Sequence, residues 1–122
     1  MDSDLKKCEK IQELFSGFIA CNEEMAVTYV EGYGYIVLDL FDGEQFDECL
    51  LFTQPSPMFN TLLNDWEYVT LNEILKPQGI LKKADNYGYE SVKQYLTKKQ
   101  RAAFVSQQKK YLSSYKKLMG QA

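Results

Sequence analysis

The sequence has no histidine and a single arginine, Arg101. Without an imidazole it lacks the commonest general base, the commonest metal ligand and the side chain that changes charge near neutral pH. Ser56 and Ser91 have no histidine to activate them, and no lysine stands in a recognisable nucleophilic setting. The expectation is a protein that is not an enzyme and uses neither a cofactor nor a metal. Cysteine is also scarce: Cys8, Cys21 and Cys49 are odd in number and scattered, with no Cys-x-x-Cys spacing, which argues against a disulfide framework and a zinc site. We expect all three to be core thiols, with Cys8 and Cys21 on or beside the apolar stripe of a helix.

Long apolar runs are missing too. No stretch approaches the roughly 20 residues that span a bilayer, and Met1-Asp2-Ser3-Asp4 lacks the positive and apolar segments of a secretory leader. A cytoplasmic protein without membrane contact is expected. Gly32-Tyr33-Gly34 lacks the third glycine of a nucleotide-binding loop and leads into a strand pattern, so it reads as a hairpin turn.

What is present begins with charge. Residues 1–75 carry three lysines against fifteen carboxylates, a net of −12, and residues 76–122 carry eleven basic residues against Asp85 and Glu90, a net of +9. The overall charge of −3 conceals this division, which points to a charged partner for one half or the other. The length of 122 residues and a hydrophobic content of 45% suit one domain, 1–122, with a single core.

Apolar spacing predicts a helix from Asp4 to Cys21, capped by Asp2 or Ser3 and bent or closely packed at Gly17. Met25 to Val30 and Tyr35 to Phe41 read as strands joined by Glu31-Gly32-Tyr33-Gly34. Asp42-Gly43 signals a second hairpin. A three-residue loop of Phe41, Asp42 and Gly43 would set Leu38 opposite Phe46 and bury the face of Ile36, Leu38 and Leu40 with Phe46 and Leu50. Pro55 and Pro57 end that strand, and a turn or two of helix should follow from Met58 to Leu63. Trp66 to Val69 reads as a short fourth strand, and Thr70-Leu71-Asn72-Glu73 as a capping box opening a short helix. Lys76 to Gly88 reads as a loop. Ser91 can start a short helical segment, and Thr97-Lys98-Lys99-Gln100 is a second capping box, opening a helix that runs to Met119 and stops at Gly120. The fold class is α+β: an antiparallel sheet of three to four strands over residues 25–69, with an N-terminal helix and a long basic C-terminal helix packed on it.

Three groups of residues are candidates for a site. Asp42, Glu44, Asp47 and Glu48, with Asp39 nearby, form an acidic hairpin that suits a basic protein surface; their spacing matches no calcium loop. Trp66 and Tyr68 are candidate aromatic anchors beside them. Lys98, Lys99, Lys109, Lys110, Lys116 and Lys117 flank the polar face of the last helix, near Tyr87, Tyr89 and Tyr95. Those lysines suit phosphates more than base edges, because specific readout prefers the guanidinium fork.

The functional expectation is a small acidic binding protein that inhibits or neutralises a macromolecular partner through the hairpin, in the manner of an immunity protein or a nuclease or toxin inhibitor. The alternative is a nucleic-acid-associated accessory protein acting through the basic helix.

Overall fold

The computed structural model describes residues 3–78 and 88–120. Helix α1 covers Ser3–Leu14 and buries Cys8 and Ile11. The expected single helix to Cys21 is interrupted at Phe15 (φ −95, ψ 8) and resumes as α2, Ser16–Cys21. The break lies at Phe15 and not at Gly17, where a Cβ would meet nothing within 4 Å. Burial explains its position. Phe15 is fully enclosed, stacked on Tyr111 at 4.4 Å and tilted against Phe59 at 5.8 Å between ring centroids, so ring packing sets the chain direction there.

Strands β1 (Ala26–Val30), β2 (Gly34–Phe41) and β3 (Phe46–Phe52) form one antiparallel sheet in the order β1-β2-β3. The first hairpin follows expectation, with Val30 opposite Gly34 and a turn over Glu31, Gly32 and Tyr33. Gly34 is required there: its φ is +139, and a Cβ would lie 2.5 Å from the carbonyl oxygen of Phe52.

The second hairpin departs from expectation. Phe41 pairs with Phe46 and Leu38 with Cys49, so the connection has four residues, Asp42 to Gln45, and Leu38 does not face Phe46. The buried face is consequently that of Tyr35, Val37 and Asp39, opposite Phe52, Leu50 and Glu48, while Ile36 and Leu38 are half-buried on the other side. A fixed alternation of side chains makes such a change of face an all-or-none event. Near its end β2 twists: Leu40 takes a left-handed φ of 60, and the Phe41 N–H turns to donate to the Glu24 carbonyl at 3.1 Å.

Residues 55–75 form one helix, α3 (Pro55–Leu75), with Pro55 in its first turn. The fourth strand over Trp66 to Val69 and the separate helix after Thr70 do not form, and the sheet has three strands among the described residues. Helix α3 packs on α1, on β3 and on the last helix, so its apolar residues point in several directions. That blurs the 3.6-residue stripe from which a helix is recognised. Lys76–Gln78 make a 3-10 turn, and the rest of the expected loop, 79–87, lies outside the described residues.

A short helix α4 (Tyr89–Val92) and a 3-10 turn (Lys93–Tyr95) lead into α5 (Lys98–Leu118). The capping box that opens α5 is formed as expected: Gln100 N–H donates to Thr97 Oγ1 at 3.1 Å, and the Thr97 N–H donates to Gln100 Oε1 at 2.9 Å. Helix α5 packs on α1 and α3 through a chain of rings, with Phe59 stacked on Tyr115 and Trp66 on Phe104. The fold is α+β, with α1 and α3 against the sheet and α5 against both of them. Each fully enclosed side chain of this core, such as Ile11, Val37 or Leu62, contributes about 1.5–3 kcal/mol. Among the described residues no helix is long and apolar enough to cross a membrane.

Candidate functional site

The β2–β3 connection is held by its first residue. Asp42 Oδ1 accepts from the N–H groups of Glu44 (2.9 Å) and Gln45 (3.0 Å), and the Asp42 N–H donates to the Gln45 carbonyl at 3.1 Å. These bonds favour the ionised form, so the Asp42 carboxyl lies below its usual range. Gly43 supplies the positive φ, 101, that the tight connection needs. Asp42 is therefore both a turn former and an exposed charge, whereas Glu44 and Asp47 point away from the core and are exposed. Asp47 and Glu48 lie on opposite faces of β3, because neighbouring residues on a strand alternate. The four carboxylates of the expected site thus share one end of the sheet without converging on a point. Among the described residues none of them is in an ion pair.

On the inner face of the same sheet end lies an arrangement that the sequence did not announce. Asp39 of β2, more than nine-tenths buried, lies against Asp65 of α3. Asp65 Oδ2 is shut off from solvent and meets no N–H or O–H donor of a described residue. What the Asp65 carboxyl meets is the Asp39 carboxyl, and a carboxylate without a donor must keep a proton of its own. Burial first, then the hydrogen bond with Asp39, then the charges of Asp39 and Glu48, push Asp65 up to about 8. The pair borders a cavity of about 160 Å3 whose walls include Glu24, Leu40, Glu48 and Tyr68. Two carboxyls so placed can hold a proton at neutral pH, or surrender it to a cation. Among the described residues no group of three or more acidic or thiol side chains is set to hold a metal ion.

The remaining expected site residues divide. Tyr68 is 42% exposed at the cavity wall and belongs to this surface. Trp66 does not: it is buried, stacked 4.8 Å from Phe104 and edge-on to Tyr111 at 5.3 Å, and so serves the core. Lys98, Lys99, Lys109, Lys110, Lys116 and Lys117 are all exposed along α5, opposite the stripe of Phe104 and Tyr111. The two ion pairs among the described residues, Lys10–Glu13 and Lys93–Glu90, each join residues three apart in the chain, so the acidic sheet end and the basic helix do not neutralise each other there. Of the three cysteines only Cys8 is in the core; Cys21 and Cys49 are exposed.

Apolar side chains share the acidic end. Leu40 and Phe41, 50% and 37% exposed, lie at that end of β2, and Leu50 and Leu51, 40% and 52% exposed, lie further along β3 opposite Val37 and Ile36. Exposed leucines on β3, which is itself a sheet edge, are the kind of surface that a partner covers. No family model matches this chain, and no curated protein or solved structure matches it.

Proposed function

We propose that this is a small binding protein whose acidic sheet end occupies a basic surface on a macromolecular partner, inhibiting or neutralising it. The observation that carries the reading is the composition of that end. Asp42, Glu44, Asp47 and Glu48 have no cationic counterpart among the described residues, exposed Leu40 and Phe41 lie beside them, and exposed Leu50 and Leu51 follow along β3. Carboxylates steer encounter with a basic partner, while the apolar side chains beside them and along β3 supply area to bury.

The test is a co-purification from the native cell with the unmodified chain and with an Asp47→Lys/Glu48→Lys variant. A basic protein held by the first and lost by the second, with its own activity restored on release, supports the reading. A partner held equally by both, with binding insensitive to salt, removes it.

The exposed lysines of α5 favour a second reading, binding of nucleic acid along that helix. It requires binding of a single-stranded or duplex oligonucleotide that weakens steeply with salt, and further when Lys109, Lys110, Lys116 and Lys117 are neutralised. Absence of binding at low salt removes it.

A further inference from the structure

We propose that the cavity between β2, β3 and α3 receives a guanidinium group, the tip of an arginine side chain on the basic partner, with Asp39 and Asp65 as its paired acceptors. Its biological setting rests on the acidic-surface reading above, but the site itself is argued from its own geometry. Buried polar atoms are as a rule hydrogen-bonded. Here the Asp39 side chain is more than nine-tenths buried and Asp65 Oδ2 is enclosed, yet Asp65 meets another acceptor instead of a donor. A ligand made only of N–H donors supplies what the enclosed Asp65 oxygen lacks and can take the place of the proton between the two carboxyls.

The walls specify the cation further. The cavity, about 160 Å3, is more room than a bare ion needs. Leu40 and the half-exposed ring of Tyr68 line it and can pack against a planar, weakly hydrated group. Glu24 and Glu48 border it and add negative potential at its opening. The acceptors come from two different elements, which suits the fork of a guanidinium better than the single point of an ammonium.

Entry of the cation displaces the proton that holds the pair together. The groups facing Asp65 are Asp39 from β2, Glu48 from β3, Glu24 from the turn before β1, and Tyr68 from its own helix. Because Asp65 keeps its proton up to about pH 8, binding below that pH must release it, and affinity should rise about tenfold per pH unit between pH 6 and 7.5. Above pH 8 the rise should level off.

The experiment titrates the full chain with Nα-acetyl-arginine amide and, as a neutral mimic of the same shape, Nα-acetyl-citrulline amide, followed by amide and carboxyl carbon NMR. The expected result is a saturable shift at Asp39, Asp65 and Tyr68 with the arginine probe alone, a fall of at least two pH units in the Asp65 midpoint, and a tenfold or greater loss of affinity at pH 8 in Asp65→Asn. Asp39→Asn provides a second variant should the first fold poorly. Equal shifts from both probes, or an unchanged Asp65 midpoint at the highest arginine concentration, overturn the proposal. Such a failure leaves the acidic-surface reading to its own test with the Asp47→Lys/Glu48→Lys variant.

Discussion

Asp39 of β2 and Asp65 of α3 meet carboxyl to carboxyl at the joint between sheet and helix. Opposed carboxylates at such a joint repel each other, so a proton kept by Asp65 stabilises the folded state. The same proton makes the joint responsive to whatever can replace it.

The pH dependence of stability follows. Asp65 has an ordinary value of 3.8 and is raised to about 8 on folding, so the folded chain binds more protons than the unfolded chain between those limits. Its stabilising contribution is complete below 3.8 and is lost as pH rises toward 8. Asp65→Asn keeps the shape of the protonated acid and removes the titration. We expect that variant to gain about 1–2 kcal/mol on the parent between pH 5 and pH 8, after discounting for solvent screening, as measured by denaturant unfolding. Parallel stability curves for the two proteins would refute the shared proton.

Backbone conformation gives a pair of predictions with opposite signs. Leu40 pays for a left-handed φ of 60 while half of its side chain is exposed, so Leu40→Gly should be neutral or stabilise by up to about 1 kcal/mol. Gly34→Ala sets a Cβ 2.5 Å from the Phe52 carbonyl oxygen at a φ of +139, and should destabilise by more than about 2 kcal/mol. Thermal unfolding of both variants checks the pair, and a stable Gly34→Ala protein would contradict the register of β3.

These two residues also mark how far the fold could be read in advance. The helices with local stop and start signals were legible: the Thr97–Gln100 box opens α5 and Gly120, with φ 73, follows its end. The buried face of β2 was not, because Tyr35, Val37 and Asp39 alternate with Ile36, Leu38 and Leu40, and both faces look apolar apart from one aspartate. The three-residue loop expected at Asp42-Gly43 put that aspartate on the outer face. It is buried because its partner, Asp65, arrives from a helix that the pattern of Trp66, Tyr68 and Val69 disguises as a strand. Of the candidate site, the acidic loop could be read from composition alone, whereas the carboxyl pair required a contact between distant segments.

Trp66 and Tyr68 are two residues apart, and their contrast can be measured. Trp66 is the sole tryptophan, enclosed against Phe104, so native emission should be blue-shifted and should move to the red on unfolding. Trp66→Ala should cost about 3–5 kcal/mol. Tyr68→Ala, at a position 42% exposed, should cost less than about 1.5 kcal/mol in unfolding experiments and weaken arginine-probe binding several-fold. A large loss of stability at Tyr68 with unchanged probe binding would place its ring in the core's service instead.

The cysteines give a final test, in which one residue reports on the proposed surface and another serves as its control. Cys49 pairs with Leu38 on the face of the sheet turned away from α1 and α3, beside exposed Leu51 and within the acidic end. Cys21 is also exposed but ends α2, and Cys8 is enclosed within α1. A small neutral alkylating reagent should therefore modify two thiols in the native protein and the third only after unfolding. With the native partner bound over β3, Cys49 should be protected at least tenfold while Cys21 continues to react at its free rate. The proposed surface also predicts that a bulky group attached at Cys49 weakens partner binding and one at Cys21 does not. Protection of Cys21 alone would move the binding surface to the far side of α2 and away from the acidic hairpin.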